Sequence, residues 1–201
     1  MSTLVLASAN PDKLEEMRVL LGDLEIEVVA VSSLVSDWRV EEDGITLKAN
    51  ASKKAEMATQ ATGLPSVADD TGLFVRGLGG APGVLSARYA GAGCSYADNV
   101  GKLLRNLRGE TGNMRRALFK TVAVLTSPVS EGLIVGGEIG GSISCEPKGT
   151  GGFGYDPIFV VDGLGKTFAE CSADEKNRLS HRGRALRALK EQLAEAMLSS
   201  G

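Results

Sequence analysis

Apolar positions fall into short runs separated by polar or glycine-rich stretches, and the period inside each run predicts its element. Thr3 to Ala7 is an unbroken Leu/Val run, the pattern of a buried strand, and it ends in Ser8-Ala9-Asn10-Pro11-Asp12-Lys13. Beyond it Leu14, Met17, Leu20 and Leu21 recur at helical spacing. Asn10 as cap and Pro11 near the first helical position leave backbone N–H groups and the positive dipole end facing out of the loop, where an anion is stabilised. Glu25 to Val31 alternates as a half-buried strand, and Val35 to Gly44 is an acidic connection through Glu41-Glu42-Asp43. Thr46 caps a long helix that runs to about Thr62 and stops at Gly63 and Pro65.

The stretch from Pro65 to Val75 organises the rest, because Asp69 and Asp70 interrupt an apolar run. Read as a turn, Asp-Asp-Thr-Gly is suitable material. Read as a strand, successive side chains point to opposite faces, so the two acids cannot both reach solvent if the sheet is covered on both sides; a buried carboxylate then needs cations or donors. Gly77 to Tyr89 is too rich in glycine for a regular element, and Ser95 to Leu107 is a second helix. Ala117 to Thr126 and Leu133 to Ser144 read as two long strands of a hairpin, followed by a glycine loop from Lys148 to Gly154 and a strand from Pro157 to Val161. Ser180 to Leu198 closes the chain as an amphipathic helix with Ala185, Leu186, Leu189, Leu193 and Met197 on one face. The expected fold is α/β: one two-lobed domain over residues 1–201, with a mixed, elongated central sheet flanked by helices and an active-site cleft between the lobes.

Composition narrows the function. At 201 residues and 43% hydrophobic the chain is long enough for a sizeable aliphatic core. A net charge of -3 argues against nucleic acid as a partner and leaves room for a compact anionic ligand. Cys94, Cys145 and Cys171 are scattered without paired spacing, which fits a reducing compartment and neither a disulfide framework nor a zinc site. No apolar run is long enough to span a membrane and no basic segment with an apolar stretch opens the chain, so the expected location is cytoplasmic.

Two tempting motifs fail. Gly149-Thr150-Gly151-Gly152-Phe153-Gly154 fits GxGxxG but leads into a strand, where a dinucleotide fingerprint must open a helix. Gly101-Lys102 lacks the leading glycine and following hydroxyl of a phosphate-binding P-loop. What survives is spread over separate loops: Ser8, Asn10 and Lys13 at a helix start, the acids Glu42, Asp69 and Asp70, and the Gly151 to Asp156 loop. Lys176, Ser180, His181 and Arg182 add donors. Magnesium wants oxygen from one or two carboxylates and completes its shell with water and phosphate, which suits Glu42 with Asp70. Taken singly, the acidic loop also reads as solvated, Lys13 and Lys54 as surface lysines, and His181 as a helix cap.

Together and in this order the residues resemble the inosine triphosphate pyrophosphatase family, which removes non-canonical purine nucleoside triphosphates. Leu6 to Lys13 is similar to the family's T/S-x-N-x-x-K opening, and Ala68-Asp69-Asp70-Thr71-Gly72-Leu73 to its ADDSGL. Gly79 to Gly83 with Ser86 to Tyr89, Gly151 to Phe159, and Ser180-His181-Arg182-Gly183 also match. One departure stands out: where the family usually has Phe-x-Glu-Asn-Ala, this chain has Leu47-Lys48-Ala49-Asn50-Ala51.

The resemblance implies magnesium-dependent hydrolysis of ITP, dITP and XTP to the monophosphate and pyrophosphate, in a homodimer. Asp70 is then the expected catalytic base, with Asp69 second, and Glu42 with Asp70 the metal ligands. Substrate binding falls to Ser8, Ala9, Asn10, Pro11, Asp12 and Lys13 of the opening, to Lys54 and Thr71, and to Phe153, Gly154, Tyr155, Asp156, Lys176, His181 and Arg182. Phe153 is expected to stack on the base, and Lys176, His181 and Arg182 to meet the C6 carbonyl that hypoxanthine and xanthine present where adenine has an amino donor. Two other activities fit less of the pattern: a septum-inhibitor-like pyrophosphatase acting on modified pyrimidines, and a nucleotide sensor without catalysis.

Overall fold

The computed structural model describes residues 2–129 and 132–199. In chain order it contains β1 (Ser2–Leu6), α1 (Pro11–Leu21), β2 (Ile26–Ala30), α2 (Leu47–Thr62), β3 (Ser66–Val75), β4 (Pro82–Gly83), α3 (Tyr96–Asn106), β5 (Arg116–Thr126), β6 (Leu133–Ile143), β7 (Phe159–Val161), α4 (Ala173–Leu179) and α5 (His181–Ser199). The strands hydrogen-bond in the order β2-β1-β3-β5-β6-β7, with β4 on β3. Pairing is parallel for β1 with β2 and β3, and antiparallel for β3 with β4 and β6 with β7, so the sheet is mixed as expected. β5 and β6 are neighbours, as the expected hairpin requires; residues 130 and 131 of its connection lie outside those described.

Two compact units divide the chain: Met1–Asp70, Thr121–Gly137 and Arg182–Gly201 form the first, Thr71–Lys120 and Glu138–His181 the second. In the first unit the pleat sorts side chains into two cores. Leu4, Leu6 and Val67 pack with Met17 and Leu21 of α1 and with Leu186 and Leu189 of α5. Val5, Ala7 and Ala68 pack on the other face against Ala51, Ala55 and Ala58, the small-residue stripe of α2. Burial on both faces explains why β1 and this half of β3 read as continuous apolar runs. The second unit has its own core, built around Leu73, Val75, Leu103, Phe119, Ile158, Phe159 and Phe168.

The turn reading of Asp69 to Gly72 gives way to an unbroken ten-residue strand. Beyond the acids β3 keeps its partners: Leu73 pairs with Gly83 of β4, and its N–H donates to Ser86 Oγ at 2.8 Å. Helix α4 has no counterpart in the apolar pattern because its seven residues carry only one leucine, at the last position. Its local signal was a capping box, Ser172 with Glu175, each side chain accepting from the other's backbone N–H.

Candidate active site

Alternation along β3 decides what each acid meets. Asp69 continues the Val67 face toward α1 and α5, and Asp70 continues the Ala68 face toward α2. On the first face Asp69, fully buried, accepts from Lys13 Nζ at 3.0 Å and Arg182 Nε at 3.2 Å. Arg182 also reaches Glu16 at 2.6 Å. Burial by itself would push the Asp69 carboxyl up, but the attraction of Lys13, Arg182 and Lys54 outweighs it and holds the group well below the usual carboxylate range.

The second face is built differently. Asp70 takes one hydrogen bond to each oxygen, from Lys54 Nζ to Oδ1 and from Asn50 Nδ2 to Oδ2, both at 3.2 Å. Lys54 Nζ also donates to Glu42 Oε1 at 2.6 Å and to the Asp69 carbonyl at 2.9 Å. Burial pushes the Asp70 carboxyl up, Glu42 pushes the same way, and Lys54 offsets them only in part. Lys54, conversely, loses stability of its charge to burial but is held above the ordinary lysine range by Asp70 and Glu42. The neighbouring carboxylates are therefore tuned apart, Asp69 downward by its cations and Asp70 upward by burial and Glu42.

Glu42 and Asp70 share a single cation, the Lys54 ammonium. That pair supplies hard oxygen donors, and among the described residues no group of three or more His, Cys, Asp or Glu side chains is arranged so that it could hold a metal ion. Two carboxylates suit magnesium, which fills its remaining positions with water and phosphate, better than a fully protein-caged ion. Next to them α1 begins as expected: Asn10 caps it by accepting from the Asp12 N–H at 2.9 Å, Ser8 Oγ accepts from the Asn10 N–H at 3.2 Å, and Pro11 and Ala9 are exposed.

The second unit holds the other predicted residues. Gly152 has φ +68°, and a Cβ there would come within 2.2 Å of Asp156 Oδ2, so the loop needs glycine at this position to fold over that carboxylate. Asp156 accepts from the Phe153 N–H and from Lys176 Nζ, both at 2.8 Å, and the Lys176 ammonium lies 4.3 Å from the Phe153 ring centre. Phe153, half-buried, also meets the exposed Tyr96 with ring centres 5.9 Å apart. Gly154 continues the loop at φ +63°. Tyr155 is buried, with its phenol donating to the Ser86 carbonyl at 2.9 Å, so its side chain serves the core. Thr71 sits half-buried in β3 just past the acids.

His181 and Arg182, expected as one donor set with Lys176, are used apart. The His181 ring stacks on Phe119 with centres 4.4 Å apart and planes 11° apart. The Arg182 guanidinium bonds Glu16 and Asp69, and its side chain is 4% exposed.

The model of the Ham1 family matches residues 4–192. This chain belongs to the Ham1 family. The Ham1 chain is similar to a dITP/XTP pyrophosphatase of Pectobacterium atrosepticum, 46% identical over 98% of this chain and 100% of that one. It is 45% identical to the protein of the same name from Geobacter sulfurreducens, over 96% of this chain and 97% of that one. Among solved structures, a HAM1 protein from Coxiella burnetii aligns with TM-score 0.88 at 44% identity, covering 97% of this chain and 100% of that one. The Staphylococcus aureus Ham1 protein aligns with TM-score 0.86 at 40% identity, again over 97% and 100%.

Three residues of this Ham1 chain escaped the sequence reading. Glu16 carried no signal beyond an acid on a helix, and Tyr96 none beyond a helix start. Asn50 had one: an amide one turn before Lys54, hence on the same helical face. Ala49, where the family's usual acid would stand, is exposed and off that face.

Proposed function

We propose that this Ham1 protein is a magnesium-dependent pyrophosphatase of non-canonical purine nucleoside triphosphates, taking dITP, XTP and ITP to the monophosphate. The observation that carries this is the pair Glu42 and Asp70 held on one cation, with Asp70 raised and Asp69 locked as an ion. Relatives named dITP/XTP pyrophosphatase over nearly the whole length support it. A homodimer belongs to the same reading and is supported by the motif resemblance; a cytoplasmic location belongs to it too and is supported by the three scattered cysteines, which suit a reducing compartment.

Glu42 and Asp70 would hold the metal. When bound, magnesium screens phosphate charge and lowers the barrier to loss of pyrophosphate. The chain does the rest. The N–H groups at the start of α1, with Lys13 and Lys54, bind the triphosphate. Asp70 takes the proton from a water that attacks the α-phosphorus; the bond to the bridging oxygen breaks and pyrophosphate leaves with its electron pair. Phe153 stacks on the base, and Lys176 donates to the carbonyl at C6.

Pyrophosphate release measured across a nucleoside triphosphate panel, with magnesium and with chelator, tests the reading. Release from dITP, XTP and ITP far above ATP, abolished by chelator, is expected. Release confined to modified pyrimidines, or from no nucleotide, overturns it.

Base choice has its own prediction. Lys176→Ala is expected to collapse the ITP to ATP ratio of kcat/KM at least tenfold, equivalent to about 1.4 kcal/mol, because the C6 carbonyl of ITP accepts from that ammonium and the C6 amino group of ATP does not. Kinetics on both nucleotides decide it, and a parallel fall would leave Lys176 as a support for Phe153 and Asp156.

A further inference from the structure

Both polar atoms of the Asn50 side chain, 1% exposed, are spent on the two segments that carry the acid pair. Its Oδ1 accepts from the Gly44 N–H at 2.8 Å, two residues after Glu42 in a connection without regular structure. Its Nδ2 donates to Asp70 Oδ2 at 3.2 Å. Gly44 is drawn so close that a Cβ on it would meet Asn50 Oδ1 at 2.5 Å. We propose that Asn50 is a positioning residue for the metal pair, its amide fixing the Glu42 loop and the Asp70 carboxylate to one rigid turn of α2. This rests on Glu42 and Asp70 being the metal ligands.

The physical case is one of preorganisation. Asp70 stands on a buried strand and keeps its place by β-pairing, but its carboxylate can rotate about the Cβ–Cγ bond. Glu42 stands on a loop, and loops hold a ligand less well than helices or strands do. Lys54 binds both acids, yet its ammonium repels an incoming divalent cation, so once metal binds the lysine no longer suits the task of orienting them. Asn50 is neutral and offers one donor and one acceptor in a fixed plane. It therefore keeps the Asp70 carboxylate plane and the Glu42 loop in place whether the shared cation is lysine or metal. Supporting groups of this kind commonly change metal affinity or activity by about 10- to 100-fold.

The test uses the full chain and Mn2+ alone as the metal probe. Asn50→Leu keeps the branched shape and the number of heavy atoms and removes both hydrogen bonds; Asn50→Ser keeps a small polar group in case the bulkier leucine variant does not fold, as judged by near-UV circular dichroism. Mn2+ affinity without nucleotide, read by electron paramagnetic resonance, is expected to weaken at least threefold. At saturating magnesium, kcat for dITP is expected to fall at least tenfold while KM for dITP changes less than threefold. Glu42→Gln and Asp70→Asn are measured alongside. If those two lose metal and turnover while a folded Asn50 variant keeps both within twofold, Asn50 is packing only and the inference fails. If all variants keep metal and turnover, the assignment of the acid pair fails and the inference with it.

Discussion

Asp70→Asn is expected to lower kcat for dITP by about 10²- to 10⁴-fold, the usual range for loss of a general base, without unfolding the protein. An amide cannot take the proton from water. Nor can it satisfy the site: Asp70 meets a donor at each oxygen, Lys54 and Asn50, so the new NH2 group must face one of them. Stability points the other way. Burial and Glu42 raise the carboxyl's pKa, so a neutral side chain relieves a cost of burying its charge, and this offsets the facing donors and the counter-charge that Lys54 loses. The melting temperature is therefore expected to stay within a few degrees of wild type. Turnover near wild type at saturating magnesium would remove Asp70 from the base role.

Arg182→Met is expected to destabilise the fold by about 3–5 kcal/mol, the usual cost of removing one partner from a buried ion network. The guanidinium bonds Glu16 at 2.6 Å and Asp69 at 3.2 Å; without it Glu16 loses that ion pair and the buried Asp69 carboxylate loses one of the cations that hold it charged. Urea unfolding measures the loss. Because Arg182 is committed to these acids, residual activity on ITP and ATP is expected to fall in parallel, the opposite of Lys176→Ala. A change in the nucleotide ratio with unchanged stability would return Arg182 to the base. The same cluster sets a pH dependence. Asp69 has a folded pKa below its unfolded value of roughly 4, so its stabilisation is complete above that value and is lost as pH falls through and below it. Asp69→Asn is expected to be less stable at neutral pH and to show a shallower acid-side loss than wild type.

Much of this was legible in the sequence because it is local. The apolar run of β1, the Asn10 and Pro11 start of α1, and the Thr46 and Gly63 limits of α2 all lie within a few residues of the elements they define. The period of two also said that Asp69 and Asp70 must part company if they lie in a strand, and the two faces of β3 bear that out. The acid-rich loop, the lysines and the glycine loop were recognisable as chemistry from residue type alone.

Only the tertiary structure decided which partner each charge takes. Nothing in the chain states that Arg182 bonds an acid 113 positions away, because a long side chain's partner depends on where its helix is laid against the sheet. Whether Asp-Asp-Thr-Gly turns or runs on was also beyond local pattern; pairing with β4 and the Ser86 hydroxyl settled it as strand. Asn50 reads as an ordinary helix residue until α2 packs its alanine stripe on the Ala68 face, which carries the amide to Asp70. Residue types and periods determined what chemistry the chain holds; packing of the helices on β3 determined which acid is shifted down and which up, since a carboxylate's pKa follows from burial and neighbours that no local pattern contains.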